Sequence, residues 1–233
     1  MMLRTVLIYA ALVLLIWALF PLIAEFTAAT ELNNLATSYV EKSSTELNSQ
    51  NVVTSIVVTF RGLDTLGEVA VLFLATTGVA FLIKRREKHD PSKIRKASEI
   101  LNAGALFVFP IIILFGIYVF LHGHLTPGGG FQGGVLIASA FVLMMLSDMN
   151  ASLNHLVLET VESISGFAYV LVGLLGLVLL GAFLDPKFLP LGNYGLLFSA
   201  GAIPLIYTFV GLKVGSELTN IVDSLREEQT EEN

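Results

Sequence analysis

Six stretches of the chain are apolar over nearly their whole length: 5–23, 65–83, 102–121, 131–147, 166–184 and 193–212. A helix of about 20 apolar residues crosses the hydrocarbon of a bilayer, and it alone satisfies every backbone polar group within one segment. The pattern therefore predicts an all-α integral membrane protein with six transmembrane helices. Five of the stretches hold no Asp, Glu, Lys or Arg, and the second holds only Glu68. The first stretch outlasts the apolar region of a secretion signal, and no small-x-small cleavage site follows it. It reads as an anchor.

Composition agrees. Of 233 residues, 55% are hydrophobic and 14% charged, against about 25% charged in a soluble domain. A soluble globular enzyme is excluded. The absence of cysteine excludes disulfide scaffolds, thiolate-bound zinc and iron–sulfur clusters. A net charge of −6 with one basic cluster leaves no nucleic-acid footprint.

The placement of that cluster sets an orientation, because Lys and Arg concentrate in cytoplasmic loops. With the amino terminus inside, the inner segments carry ten cations: Arg4, seven between Lys84 and Lys96, Lys213 and Arg226. The outer segments carry three, Lys42, Arg61 and Lys187. Both termini are expected to be cytoplasmic.

The connections suggest an organisation in several regions. Residues 24–64 form a long outer segment, polar from Thr37 to Gln50, whose end 51–60 is apolar but too short to span. Joined to the second span it would make a helix of about 50 Å, so a break is expected at Arg61-Gly62 and 51–60 is read as interfacial or protein-packed. The stretch 84–98 is basic and contains Pro91, and it reads as a linker. The expected regions are a two-helix region 1–83, the linker 84–98, a four-helix region 99–216 and an acidic cytoplasmic tail 217–233. No internal repeat relates the halves.

Two segments are candidates for chemistry. Phe60-Arg-Gly-Leu-Asp-Thr-Leu-Gly-Glu68 places Arg61, Asp64 and Glu68 at the outer mouth of the second span. Asp64 and Glu68 are four apart and share a helix face. Carboxylates inside a membrane are costly and face a bundle interior, a partner or a water-filled path. A proton relay is one reading of Glu68. The others are a capping box with Thr65 and pairing with Arg61.

The second segment is His122-Gly-His-Leu-Thr-Pro-Gly-Gly-Gly-Phe-Gln-Gly-Gly134, where five of the 20 glycines fall within seven residues. Pro127 fixes a turn, and Gly128, Gly129 and Gly130 permit close approach of the backbone. Such a loop, with Phe131 and Gln132 beside it, suits a packed turn or a subunit contact. Histidine titrates near neutral pH, so His122 and His124 are also read as a proton antenna at the membrane surface. They make only half a metal site, and no phosphate-loop pattern is present.

Small residues in the last spans, Gly173, Gly176, Gly181, Gly195, Gly201, Gly211 and Gly215 among them, read as helix packing. Pro204 is expected to kink the final span. His155, Glu159 and Glu162 read as the solvated face of an interfacial helix. No nucleophile–base pair, cofactor fingerprint or metal-binding helix is found, so neither cofactor nor metal is expected. So few intramembrane acids are too thin an inventory for a self-sufficient ion carrier.

The run from Gly123 through Ala140 closely resembles the signature of the B subunit of Mrp-type multisubunit cation/proton antiporters, a resemblance that covers about 99–216. The run 51–68 resembles the carboxyl-terminal region of the large A subunit, in which a similar segment precedes a glutamate-bearing helix. Glu68 is the matching position. A small separate piece of this kind is similar to the arrangement in Mrp-related respiratory complexes, the membrane-bound hydrogenases and sulfur-reducing relatives. The resemblance implies a non-catalytic, accessory role beside antiporter-like and small subunits, in a complex that couples sodium and proton movement and is driven by an electron-transfer arm. Glu68, with Asp64, is then the first choice for the ion path. His122, His124 and the glycine loop would shape an outer entrance or a subunit contact. A stand-alone ion channel and a purely structural spacer are the competing classes.

Overall fold

The computed structural model describes residues 2–24, 31–82, 97–148, 151 and 153–232. Its elements are α1 (Met2–Ala24), α2 (Asn34–Thr45), α3 (Val52–Ser55), a π-helical turn (Ile56–Phe60), α4 (Gly62–Leu82), α5 (Glu99–Leu121), α6 (Gly130–Ser147), α7 (His155–Leu180), a 3₁₀ turn (Pro186–Phe188) and α8 (Ile203–Glu232). The described residues contain no strand. All but Ala97 and Ser98 of the basic linker lie outside them. Ser98 caps α5, its hydroxyl accepting from the Leu101 N–H at 3.2 Å.

The chain divides into two compact units, 1–37 and 38–233. In the first, α1 is apolar on every side, and its side chains from Thr5 to Ala24 are exposed. A helix with no polar face suits lipid rather than water.

In the second unit α8 is the hub. It packs most extensively on α6 and α7, and also on α4 and α5. Between Ile203 and Arg226 only Leu205 and Leu225 are exposed. The core forms around it from Val58, Phe120, Tyr169, Ile206, Tyr207 and Val210.

Small residues set the approach of α6. A Cβ added at Gly134 would stand 2.8 Å from the Gly211 carbonyl oxygen, and one at Gly133 would stand 2.7 Å from that of Gly116. Backbone thus lies on backbone where α6 crosses α8 and α5, as the glycine pattern predicts.

Among the described residues, five helices are long and apolar enough to cross a membrane: Thr5–Ala24, Gly62–Val79, Glu99–Leu121, Gly130–Ser147 and His155–Leu180. The expected sixth stretch is divided. Residues 193–202 form turns, and α8 opens only at Ile203. Its first turns are apolar, but Lys213 and Glu217 follow, which lowers its hydropathy.

Pro204 does not kink a span. It is the second residue of α8, in the first turn, where a proline lacks an N–H that has no helical partner to lose. Nor is there a separate interfacial helix before the fifth span. Asn154 caps a helix that runs unbroken from His155 to Leu180 and ends on Gly181 at φ 80°.

The break expected at Arg61-Gly62 is present. The Arg61 N–H reaches back five residues to the Ile56 carbonyl at 2.7 Å, and Gly62 opens α4. The preceding segment is packed in protein, with Thr54, Ser55 and Val58 fully buried.

Candidate ion-handling sites

The glycine loop sits under a clasp of hydrogen bonds from the segment that precedes α4. The N–H groups of Gln50 and Asn51 both donate to the His124 carbonyl at 3.0 Å. Asn51 Nδ2 donates to the carbonyls of Gly123 (2.8 Å) and Thr126 (3.0 Å). The Thr54 hydroxyl donates to the Gly123 carbonyl at 2.5 Å, and Tyr207 of α8 donates to that hydroxyl at 3.0 Å. Two segments singled out in the sequence, remote from each other along the chain, thus meet at one end of the bundle.

Glycine is required at the entry to α6. Gly128 and Gly129 take φ 155° and 153°, where a side chain is strained. A Cβ at Gly129 would also crowd Gln132 Oε1 at 2.9 Å and the Tyr207 ring at 3.2 Å. Phe131 packs against the core, while Pro127 and Gln132 are exposed.

The two histidines diverge. His122 stacks on Tyr118 with ring centroids 4.2 Å apart, and its Nδ1 lies 3.1 Å from the Tyr118 carbonyl. His124 is wholly buried, its Nε2 3.4 Å from the Leu196 carbonyl and its Nδ1 without a partner. Among the described residues no three His, Asp or Glu side chains are grouped so as to hold a metal ion.

Burial holds the His124 ring below the ordinary histidine value of 6.5, with the neighbouring His122 adding to the effect. The folded loop therefore keeps a neutral ring, whereas the unfolded chain takes up a proton below pH 6.5. The stability His124 lends is present above that pH and declines as the pH falls from 6.5 toward the lowered value. Hydrogen-exchange protection of residues 122–130 should fall over that window in the wild type. His124→Gln should remove the pH dependence.

At the start of α4, Arg61 pairs with Asp64, both exposed. Glu68 makes no pair with Arg61, and the capping box is also absent. The Thr65 hydroxyl instead donates to the Val57 carbonyl at 2.6 Å, tying α4 to the π turn. Glu68 is exposed on α4, and no residue among those described hydrogen-bonds it or pairs with it. Near it in space is Tyr169, whose hydroxyl donates to the Gly62 carbonyl at 3.4 Å.

The bundle also buries a charged cluster where the sequence leads one to expect solvent. Lys213 Nζ lies 2.6 Å from Glu217 Oε1 and 3.7 Å from Glu162 Oε1. The side chains of Lys213, Glu162 and Glu217 are 10%, 14% and 0% exposed. The ammonium also sits 5.0 Å from the centre of the Phe73 ring of α4, in cation–π range.

The lysine stem lies along Gly166 of α7, where an added Cβ would come within 3.3 Å of its Cδ. Glu162 therefore does not belong to a solvated face. A second group lies further along α8: Asp223, 1% exposed, is 2.7 Å from Arg226 and 3.3 Å from His155. Lys213 and Glu217 do stand four apart on one face, a signal the sequence carries. Only the packing of α7 and α4 on that face buries it.

Known proteins share this sequence pattern and fold. Residues 100–220 match the profile of the domain related to the MnhB subunit of Na+/H+ antiporters, and residues 6–99 match that of MbhE, the E component of MBH. An uncharacterised protein of Methanocaldococcus jannaschii is 31% identical over 191 residues, 70% of this chain and 72% of that one. A protein of Rhizobium meliloti described as the probable A/B subunit of a K(+)/H(+) antiporter is 32% identical over 137 residues, 48% of this chain and 14% of that one. Among solved structures, a chain of the membrane-bound sulfane sulfur reductase, an archaeal respiratory membrane complex, superposes with a TM-score of 0.80. It is 42% identical, over 97% of this chain and 98% of that one. The MnhB-related profile spans more than half of this multi-pass chain, which therefore belongs to the family of membrane domains related to the MnhB subunit of Na+/H+ antiporters.

Proposed function

We propose that the protein is a non-catalytic membrane subunit of an Mrp-related respiratory complex, in which electron transfer drives coupled sodium and proton movement. The observation that carries this reading is the end-to-end likeness, at 42% identity, to one chain of the sulfane sulfur reductase. Two successive profile matches, 6–99 and 100–220, support a division in which residues 1–83 are akin to the end of the antiporter's large A subunit, 84–98 form a linker and the B-like region begins at 99. The stretch from 217 expected as a tail instead continues α8, with Glu217, Thr219 and Asp223 buried. The chain crosses the bilayer six times with both termini cytoplasmic. With the buried Lys213 set aside, nine inner cations against three outer ones and the burial of α8 among its neighbours support that topology.

Glu68 is the group assigned to the ion path. An exposed acid two turns into a spanning helix is costly in lipid, so it faces a partner protein or a water-filled route. Its freedom from any cap or ion pair among the described residues supports the same role. Asp64 and His122 line the outer approach, while the buried His124 holds the loop from within, and the glycine loop with Arg61 makes a contact surface for the neighbouring subunits.

The test is purification of a tagged chain in mild detergent from its own organism. Antiporter-like and small hydrophobic subunits should come with it, and isolation of the chain alone would overturn the reading. In the assembled complex, Glu68→Gln should slow sodium-for-proton exchange in vesicles by at least about tenfold without loss of assembly. Unchanged exchange would remove Glu68 from the path.

A further inference from the structure

The cluster on α7 and α8 carries a formal imbalance. Glu162 and Glu217 bring two negative charges and Lys213 one positive, so the fully ionised triad holds a net −1 in a buried site. It also holds an orphan: Glu217 Oε2 is buried and accepts nothing. Lys213 Nζ stands between the two carboxyl groups, 2.6 Å from Glu217 Oε1 and 3.7 Å from Glu162 Oε1.

Like charges side by side in a dry site cannot both stay ionised with one counter-ion between them, and a buried acceptor without a donor costs about 1–3 kcal/mol. One further cation removes both penalties. The room left is at a single oxygen, and a proton is the cation that needs only one.

Among the described residues the surroundings offer nothing else to neutralise the excess. From α4 the cluster meets the Phe73 ring, and α6 contains no ionisable residue. On α5 the lone acid, Glu99, is at the helix start and exposed. The other charged groups of α8 with described side chains, Asp223 and Arg226, pair with each other and with His155 of α7. On α7, Glu159 is exposed.

The site is also deep. Phe73, over which Lys213 sits, comes eleven residues after Gly62, roughly 16 Å along α4. That is about half the thickness of the hydrocarbon.

We propose that Glu217 and Glu162 hold one exchangeable proton between them, with Lys213 as the counter-ion that shifts from one carboxylate to the other. The step balances simply. A proton binds Glu217 at Oε2, the contact between Lys213 Nζ and Glu217 Oε1 breaks, and Lys213, still an ammonium, pairs with Glu162, already 3.7 Å away. The Phe73 ring face keeps the ammonium charged during the move, and Gly166 leaves room for its stem. Release of the proton reverses each change. The cluster is separate from Glu68 and gives the B-like region of the chain an ionisable group of its own. This inference rests on the reading of the chain as belonging to an ion-translocating complex.

The experiment is infrared difference spectroscopy of the purified whole complex through steps of pH. The wild type should show a protonated-carboxyl band that grows as the pH falls. Glu217→Gln and Glu162→Gln each leave Lys213 with one carboxylate, a neutral pair with no need of a proton, so each should abolish that band. Both variants should assemble, because neither strands a charge.

A band that survives in both variants, or that is missing from the wild type, overturns the proposal. If one variant fails to assemble, the other decides by the same reading. Failure here, in a complex that still exchanges ions and keeps its companions, leaves the proposed function standing. A chain that purifies alone sinks that function whatever the spectra show.

Discussion

Replacing Lys213 by methionine should destabilise the protein by about 3–5 kcal/mol, the range for breaking a buried ion pair from one side. Methionine matches the lysine stem in length and fills the space along Gly166, so the loss is not one of packing. What remains is Glu217, fully buried, facing Glu162 with no cation. Neutralising both acids should then restore most of the loss, since Lys213→Met with Glu217→Gln and Glu162→Gln removes the stranded charges along with their partner.

The comparison that fixes the interpretation is Lys187 with Glu46. That pair is 3.2 Å apart, but its side chains are 38% and 43% exposed, and Lys187→Met should cost under about 1 kcal/mol. Detergent-induced unfolding of the chain within the complex gives the ranking directly. Equal effects at the two lysines would mean that water reaches the α7–α8 cluster.

Gly134→Leu should be comparably damaging for a different reason. A Cβ at that position meets the Gly211 carbonyl oxygen at 2.8 Å and the Gly215 nitrogen at 3.0 Å, atoms of backbone that no rotamer change can withdraw. The helices must separate, and overpacking of this kind costs about 1–3 kcal/mol or more. Separation of α6 from α8 also pulls on the glycine loop, because Gly130 lies against Val210 and the Tyr207 carbonyl. The expected result is lower thermal stability together with loss of hydrogen-exchange protection at 122–130. Gly104→Leu is the control, for nothing lies within 4 Å of its Cβ position, and it should leave both measurements unchanged.

Much of this was legible in residue order. Long apolar runs located five of the spanning helices to within a few residues at most ends, because the requirement for lipid-compatible side chains acts on each segment separately. The break at Arg61-Gly62 followed from length alone. The glycine loop was found from composition, and its use as a close-packed turn from what glycine permits. The resemblance to Mrp-type B subunits rested on the same loop.

The failures share a cause. Glu162, Lys213 and Glu217 look like the wet ends of two spans, since charge in a sequence is ordinarily charge in water. Pro204 and the turns of 193–202 look like the middle of one hydrophobic helix, since hydropathy does not distinguish a buried turn from a buried helix. Thr65 and Glu68 fit a capping pattern, yet the Thr65 hydroxyl had a nearer acceptor in Val57, supplied by a π turn that has no sequence marker.

Residue order by itself determined that this chain lives in a bilayer, which five segments are long and apolar enough to cross it and which loop is tightly packed, because those properties depend on side chains taken one segment at a time. Which charges are buried was decided only in three dimensions. A lysine and two glutamates from α7 and α8 share one dry site because α4, α6 and α7 close around α8, and the dielectric a group feels is set by neighbours distant in the chain.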